Sequence, residues 1–454
     1  MDRNKFIDLE FKLLEKLSGH MNLMQSQADR EIIVGLAVKD LVSKGEFSYL
    51  KPFFENEENK VGFIEGFLTY GIITEILCDY DAEDIIINNL RPIYIHHAKK
   101  GFISTGKKFS SQREVDLFIG KLLLFAGKTK LKKIMDIELH NLEGRVNIAL
   151  SSFGPQVTIT KAKVNPLSII DLIRKGSMSH EVAAQLWIYM EGLTIRPANI
   201  IIAGGPGVGK TTLMNALFSF IPETDRMVII EDTLELNTFL EDSCSRLESD
   251  ADTTLADLVR NSLRMRPERI IIGEVRGEEA KDMITACNVG KYCMGTIHAL
   301  TSREAIIRLQ NEPMNIPDML VNLIDVFIVL KRYHTNDKIF RVVEEISETS
   351  GMEQLKILLS QVYKFHKDSM TQKQVNPSTI FRDRLASQSG LTPKDVMQEH
   401  MIRAFVLKVM DEKDINTIKE VTTLCRAYNR RPVETIEALG YNRSELLGEK
   451  KPKN

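Results

Sequence analysis

The architecture of this chain follows from one segment near its middle, Gly204-Gly205-Pro206-Gly207-Val208-Gly209-Lys210-Thr211. The segment matches the phosphate-binding pattern GxxxxGK[ST], with the required apolar run before it and helical run after it. Glycines let backbone N–H groups approach phosphate oxygens, and the N-terminus of the following helix adds a positive field. Lys210 is expected to reach the β- and γ-phosphates, and Thr211 to hold Mg²⁺. The sequence therefore predicts an ATP site at Gly205, Pro206, Gly207, Val208, Gly209, Lys210, Thr211 and Thr212.

The residues around this segment predict a largely parallel α/β sheet. Short β-rich apolar runs at residues 200–203, 228–230, 270–272 and 327–330 alternate with helical stretches, as βαβ units do. We therefore predict a P-loop ATPase core over residues 191–345. Strand signals fade after residue 345 and two apolar helical stripes follow, so residues 346–454 are expected to form a helical C-terminal subdomain.

The N-terminal part is predicted to contain helices first and strands later. Apolar residues repeat at helical spacing up to Leu17, and Ser18-Gly19 supplies a stop. Asn165-Pro166 breaks the pattern, because the residue before proline avoids helical angles. The predicted strands lie at residues 84–89, 93–95, 145–150 and 157–159. We expect a helical region at residues 1–75, an α+β domain at 76–165, and a linker with a helix at 166–190.

Composition and charge limit the possible functions. Of 454 residues, 43% are hydrophobic and 27% are charged, as in ordinary folded proteins. The 60 basic and 62 acidic side chains give a formal charge of −2, whereas a dedicated nucleic-acid binder usually carries a basic surplus. No window approaches the roughly 20 apolar residues that span a bilayer. We therefore expect no nucleic-acid partner and no direct membrane span, so that any membrane connection runs through a partner protein.

The five cysteines are an odd, scattered set in a chain large enough to fold without disulfides, which favours a reducing cytoplasm. Cys287 and Cys293 lie near His298, but their spacing is not a usual one for zinc ligands. We predict a cytoplasmic protein without a zinc site.

Acidic residues follow two of the predicted strands, at the sheet edge where open α/β sheets bind ligands. Glu274 ends the strand at residues 269–272 and is well placed to polarise an attacking water. Glu231, Asp232 and Glu235 follow the strand at residues 227–230, and clustered carboxylates suit a hydrated Mg²⁺. The predicted metal set is therefore Thr211, Glu231 and Asp232, partly through water. A solvated acidic loop is the alternative.

Two further positions at this sheet edge bear on the predicted nucleotide site. Gly273 stands where many P-loop enzymes carry the aspartate that organises Mg²⁺, so another residue has to supply that function. His298 ends a further predicted strand, at residues 294–298, and is a candidate sensor of the γ-phosphate, although a lone histidine is more often structural.

In chain order, these motifs resemble those of the secretion ATPase superfamily, where they are called Walker A, Asp box, Walker B and His box. Members power type II and type IV secretion, type IV pili and archaeal filaments, as hexameric rings docked under a membrane platform protein. The helical tail looks most like archaeal members, including the archaellum motor. The resemblance implies a RecA-like core and rests on the P-loop together with Glu231-Asp232-Thr233-Leu234-Glu235, Leu263-Arg264-Met265-Arg266-Pro267, Gly273-Glu274-Val275-Arg276-Gly277 and Gly295-Thr296-Ile297-His298-Ala299.

The resemblance also implies roles for individual residues. Glu274 would be catalytic, Glu231 and Glu235 would serve the metal–water network, and His298 would sense the γ-phosphate. Arg145 matches a family arginine that faces the nucleotide across an interdomain cleft, and we expect it to serve the same chain's Lys210. Three other arginines match positions near the site or the subunit interface: Arg264, Arg266 and Arg276.

One departure from the family pattern lies in the N-terminal domain. Thr160 stands where relatives often carry a second arginine, and only Lys161 or Lys163 could replace that charge. This departure leaves Arg145 without its usual companion.

Together these features predict a cytoplasmic, Mg²⁺-dependent ATPase at the inner face of the membrane. We expect a homohexamer that drives filament assembly or secretion through a polytopic membrane platform protein. Two alternatives remain open, a nucleic-acid translocating ATPase and a nucleotide-gated scaffold with little hydrolysis.

Overall fold

The computed structural model describes residues 3–446, apart from residues 23–24, 44–45, 80, 98–99, 140–143, 162–165, 238–242, 251, 335–338 and 355. The chain divides into two compact units, Met1–Val164 and Asn165–Asn454. Lys163 and Asn165, which were singled out above, lie outside the described residues.

The first unit combines helices with a six-stranded antiparallel sheet of order β3-β2-β1-β6-β5-β4. Burial alternates with a period of two along β5 and β6, and residues such as Val146 and Ile159 face the core. The predicted first helix and strands are confirmed, and β3 and β4 are additional. The elements are α1 (Arg3–Leu17), α2 (Gln27–Ser43), α3 (Lys51–Phe54), α4 (Glu57–Phe67), α5 (Ile72–Leu77), β1 (Ala82–Asn88), β2 (Tyr94–His97), β3 (Gly101–Ser104), α6 (Gln112–Phe125), β4 (Ile134–Leu139), β5 (Gly144–Ser151) and β6 (Gly154–Lys161).

The second unit is built on a nine-stranded sheet of order β15-β14-β13-β12-β7-β11-β10-β8-β9. The strands from β12 to β9 in that order are parallel, and β7, β8 and β10 are buried along their whole length. Such continuous burial is typical of a parallel sheet with both faces covered. The elements as far as β12 in chain order are α7 (Ile169–Arg174), α8 (His180–Glu191), β7 (Ile200–Gly204), α9 (Lys210–Leu217), β8 (Met227–Glu231), β9 (Ser245–Glu248), α10 (Leu255–Ser262), β10 (Arg269–Ile272), α11 (Glu279–Asn288), β11 (Tyr292–Ile297), α12 (Ser302–Gln310), α13 (Asp318–Val321) and β12 (Val326–His334).

The predicted start of the helical subdomain at residue 346 is wrong. Three antiparallel strands, β13 (Ile339–Glu353), β14 (Lys356–His366) and β15 (Thr371–Gln374), extend the sheet before any helix begins. These strands contain several glutamates, lysines and glutamines, which have weak strand preference, and the outermost strand β15 is mostly exposed. Their polar composition concealed them in the sequence.

The C-terminal helices pack on the rest of the second unit through ion pairs as well as apolar contacts. Arg403 lies 2.8 Å from Glu191, stacks over the ring of Trp187 and is 3% exposed. Arg384 binds Asp325, which directly precedes β12. The helices are α14 (Thr379–Ser389), α15 (Pro393–Glu412), α16 (Ile418–Arg430), α17 (Pro432–Ala438) and α18 (Arg443–Leu446). Within the described ranges, no helix has the length and apolarity needed to cross a bilayer.

Candidate nucleotide site

The glycine segment links the carboxyl end of β7 to the start of α9. Gly207 and Gly209 have φ angles of 66° and 98°, a region that favours glycine because it has no Cβ. Gly209 is the residue that precedes α9, so the loop turns directly into the N-terminus of that helix. The loop therefore presents its backbone to a ligand at the positive end of a helix, as an anion site requires.

Lys210 folds back over this loop. Its Nζ donates hydrogen bonds of 3.0 Å to the carbonyl oxygens of Gly204 and Gly205. Burial lowers the pKa of Lys210, while the nearby carboxylates of Glu274 and Glu235 raise it. The ammonium thus lies between the glycine loop and two acidic residues.

Thr211 lies beside Glu235, with Oγ1 3.3 Å from the Oε2 atom of that carboxylate. Glu235 is held there by Glu231, whose Oε1 accepts hydrogen bonds of 3.1 Å from the backbone N–H groups of Glu235 and Leu236. Glu231 is only 3% exposed, and this burial raises its pKa to about 7. Glu231 is therefore a buried support for the loop that carries Glu235.

Glu231 also occupies the space beside Gly273. A Cβ at position 273 would lie 2.9 Å from the Cγ of Glu231, which is closer than real Cβ contacts allow. The two residues come together because β10 pairs with β8 in parallel, with Ile272 opposite Ile230. The side chain of Glu231, on the neighbouring strand, thus fills the space that a side chain at position 273 would take.

Asp232 has different partners. Its Oδ1 accepts a hydrogen bond of 2.6 Å from Ser249, and its Oδ2 binds Arg276. Of the predicted metal set of Thr211, Glu231 and Asp232, one carboxylate thus caps backbone amides and another pairs with an arginine, and the set stays a prediction. Among the described residues no group of three histidine, cysteine or acidic side chains is positioned to hold a metal ion.

Glu274 and His298 lie together at the ends of the adjacent strands β10 and β11. The distance from His298 Nε2 to Glu274 Oε1 is 3.0 Å. Burial and the charge of Lys210 lower the pKa of His298, whereas Glu274 raises it. Arg308 donates to the backbone carbonyl of His298 and fixes the chain at this point.

The other predicted arginines are placed in different surroundings. Arg145 belongs to the first unit, where it is half-exposed and lies 3.3 Å from Asp136. Arg264 and Arg266 are exposed, and Arg276 binds Asp232 as described above. Near Arg145 in that sheet, Thr160 donates to Asp84 and Lys161 donates to the carbonyl of Asp79.

Two arginines at the glycine loop were missed in the sequence. Arg341 Nε donates a hydrogen bond of 3.0 Å to the carbonyl of Gly207. Arg332 lies opposite Arg341 in the ladder between β12 and β13, and a Cβ at Gly207 would lie 3.7 Å from its Nη1. Both residues lie outside every motif, and their approach depends on the pairing of β12 with β7, which sequence patterns do not reveal.

A parallel sheet that leads through a glycine loop into a helix, with carboxylates at the ends of the neighbouring strands, defines the P-loop nucleoside triphosphatase fold. Residues 132–347 match the family described as "Type II/IV secretion system protein". The chain belongs to this family, which confirms the resemblance to the secretion ATPase superfamily.

Individual relatives show the extent of the similarity. The uncharacterized protein MJ1287 of Methanocaldococcus jannaschii is 32% identical over 263 residues, covering 56% of this chain and 96% of the relative. The probable conjugal transfer protein TrbB of Sinorhizobium fredii is 29% identical, covering 56% of this chain and 81% of the relative. The X-ray structure of the Legionella pneumophila ATPase DotB is 18% identical with a TM-score of 0.43, covering 75% of this chain and 86% of that one.

Proposed function

We propose that this protein is an ATP-hydrolysing motor of a type II or type IV secretion system, or of a machine that assembles a type IV pilus-like filament or an archaellum. The proposal rests on one grouping of side chains. It consists of Lys210, the pair Thr211 and Glu235, and the pair Glu274 and His298. These residues lie at the carboxyl ends of the adjacent parallel strands β7, β8, β10 and β11, where open α/β sheets bind ligands.

The residues present fit a nucleotide with Mg²⁺. The glycine loop offers backbone N–H groups at a helix N-terminus, and Lys210 offers a cation already held over the loop. Thr211 and Glu235 offer a hydroxyl and a carboxylate oxygen, the hard ligands that Mg²⁺ prefers. When bound, Mg²⁺ would neutralise charge on the transferred phosphoryl group.

Glu274 is proposed as the group that accepts the proton of the attacking water. Its Oε1 atom lies 3.0 Å from His298 Nε2, so the imidazole lies beside this carboxylate and close to the reacting groups. Lys210 supplies positive charge, and Glu235 lies beside Thr211. Glu231 acts as a positioning residue, because it touches the backbone of Glu235 and Leu236.

We further propose that Arg145 serves the nucleotide bound by the same chain, and that the working form is a homohexamer on the cytoplasmic side of the membrane, docked on a polytopic platform protein. The support is membership of the secretion family, together with the match of Gly144-Arg145 to the family pattern. Family membership also supports ATP and Mg²⁺ as the ligands.

One rival has a specific observation in its favour. The similarity to the probable conjugal transfer protein TrbB is compatible with a nucleic-acid translocating ATPase. The near-neutral net charge argues against this rival, since translocases need a basic channel. Turnover that rises on addition of DNA would favour it.

The test of the main proposal is steady-state phosphate release by the purified full chain with ATP and Mg²⁺. We expect turnover that is abolished in Lys210→Ala through loss of nucleotide binding. A chain that binds ATP and assembles but releases no phosphate would instead be the nucleotide-gated scaffold.

A further inference from the structure

The loop between α6 and β4 carries an unusual concentration of positive charge. Residues 127–134, named here the lysine loop, contain four lysines and no acidic residue. No acidic residue lies between Asp116 and Asp136 in the sequence. Asp136 itself is already paired with Arg145. The four lysines are exposed, and in the part of the chain that the structure describes none of them makes an ion pair: Lys128, Lys130, Lys132 and Lys133.

The lysine loop has a fixed path. Gly127, two residues after α6, has a φ of 68°, and a Cβ there would lie 3.3 Å from the carbonyl oxygen of Met21, so the loop begins in close contact with that residue. Lys128 N donates to Leu123 O at 2.9 Å, and Leu150 N donates to Lys133 O at 2.8 Å. The lysines are therefore displayed on a loop that is held at both ends.

Apolar side chains accompany these charges. Ile134 is 66% exposed at the start of the edge strand β4, and Leu131 is 38% exposed inside the loop. Phe153, in the turn between β5 and β6, is 76% exposed. Because Ile134 pairs with Ala149 on β5, this turn lies at the same end of the sheet as the lysine loop.

A fifth cation lies at the same end. Arg91 follows β1, and with Phe153 it lines a cavity of about 280 Å³ together with Asn88, Ser151 and Gln156. Asn89 donates to the backbone carbonyl of Phe153 at 3.1 Å, which joins the two turns. Cations and exposed apolar side chains thus share one surface.

We propose that this surface, formed by the lysine loop with Arg91 and Phe153, binds directly to membranes that contain anionic phospholipids. Clustered lysines are attracted to an anionic leaflet, and apolar or aromatic side chains enter the headgroup region. Nucleic acid would bind the same cations, but its phosphates make no favourable contact with exposed apolar side chains such as Ile134 and Leu131. The inference goes beyond the proposed function, in which attachment to the membrane runs through a platform protein.

The test measures co-sedimentation of the purified full chain with vesicles. We expect binding to vesicles of equal parts phosphatidylglycerol and phosphatidylcholine, little binding to pure phosphatidylcholine, and weaker binding as salt is raised. Replacing all four lysines by glutamine (Lys128→Gln, Lys130→Gln, Lys132→Gln and Lys133→Gln) should lower the vesicle partition constant by about a hundredfold or more.

A matched control removes the same charge elsewhere. Lys39→Gln, Lys51→Gln, Lys100→Gln and Lys394→Gln change exposed lysines outside this surface, so vesicle binding should stay near that of the wild type. An equal loss in both variants would overturn the proposal, since net charge alone would then explain binding. Failure of the wild type to prefer anionic vesicles would overturn it as well.

Two further measurements separate the alternatives. Phe153→Ser with all lysines intact should weaken the binding that remains at high salt, and unchanged binding would overturn the proposed role of this aromatic residue. If the lysine variant lost binding to duplex DNA but kept its vesicle binding, the surface would belong to nucleic acid instead. Phosphate release without vesicles should be unchanged in the lysine variant, so this test is independent of the proposed ATPase activity.

Discussion

His298 Nε2 lies 3.0 Å from the Oε1 atom of Glu274, and these two side chains come from the ends of adjacent parallel strands. Burial and Lys210 lower the pKa of His298, which favours the neutral imidazole beside the carboxylate of Glu274. A carboxylate held in this way is suited to accept a proton.

Glu274→Gln is expected to keep nucleotide binding and lose most of its turnover, because an amide cannot accept the proton of the water. Phosphate release and nucleotide titration measure the two effects separately. Glu278→Gln changes an exposed carboxylate nearby and should leave turnover unchanged. Turnover of at least half the wild-type rate in Glu274→Gln would contradict the assigned role.

Gly273→Ala is expected to destabilise the second unit by about 1–3 kcal/mol, because its Cβ would press on the Cγ of Glu231. Displacing Glu231 also releases the loop that carries Glu235, so a higher Mg²⁺ concentration should be needed for turnover. Gly62→Ala, where a Cβ meets nothing within 4 Å, is the control and should be neutral or slightly stabilising. Equal stability of the two variants would show that the contact is easily relieved.

Glu231 should make stability depend on pH. Its pKa is raised to about 7 by burial, so the folded state holds this proton more tightly than the unfolded state. The stabilisation is therefore complete below the ordinary pKa of a glutamate and is lost as the pH rises through about 7. Relative to Glu231→Gln, the wild type should lose about 3 kcal/mol at most over this range, as measured by urea unfolding at several pH values. Parallel pH profiles would mean that Glu231 stays ionised throughout.

Arg341→Ala is expected to weaken nucleotide binding about threefold to tenfold, because it removes a hydrogen bond to the Gly207 carbonyl and loosens the glycine loop. Lys373→Ala removes an exposed cation on β15 of the same sheet and should bind nucleotide as the wild type does. Calorimetric titration measures both. The same affinity in both variants would leave Arg341 without a role at the site.

Arg145→Ala is expected to slow hydrolysis by about tens to hundreds of fold, less than the largest arginine effects in this enzyme class because Thr160 removes the usual companion. Asp136→Asn removes the partner of Arg145 and should have a much smaller effect. Mixed assemblies of Arg145→Ala and Lys210→Ala chains should show no recovery. Restored hydrolysis in the mixture would mean that Arg145 acts on another chain's nucleotide.

The sequence predicted the glycine loop, the parallel strands and the residues at their ends, since these depend on local patterns. Apolar β-rich runs such as Ile200–Gly204 are recognisable because a doubly covered strand is apolar throughout. The strands β13 to β15 were missed because polar residues interrupt them. They therefore lack the continuous apolar run that marks a buried parallel strand.

Within the site, sequence patterns gave the acidic residues but not their partners. Glu231 and Asp232 were predicted to serve a metal ion, and the structure adds contacts that the sequence did not reveal: Glu231 accepts backbone hydrogen bonds and Asp232 pairs with Arg276. The partners of these two carboxylates depend on strand register and on where the following loop turns back. Arg341 reaches the glycine loop only through the order of strands in the sheet, which no local pattern contains.

The close approach of Glu231 to Gly273 also restricts how the two positions can evolve. An aspartate arising first at position 273 would meet the side chain of Glu231 and be selected against. If Glu231 were first replaced by a shorter residue, the vacated space would accept the new side chain at the cost of a weakened intermediate. A buried carboxylate can therefore move from position 231 to position 273 only if Glu231 is replaced first. The order of the two mutations limits how this site can evolve.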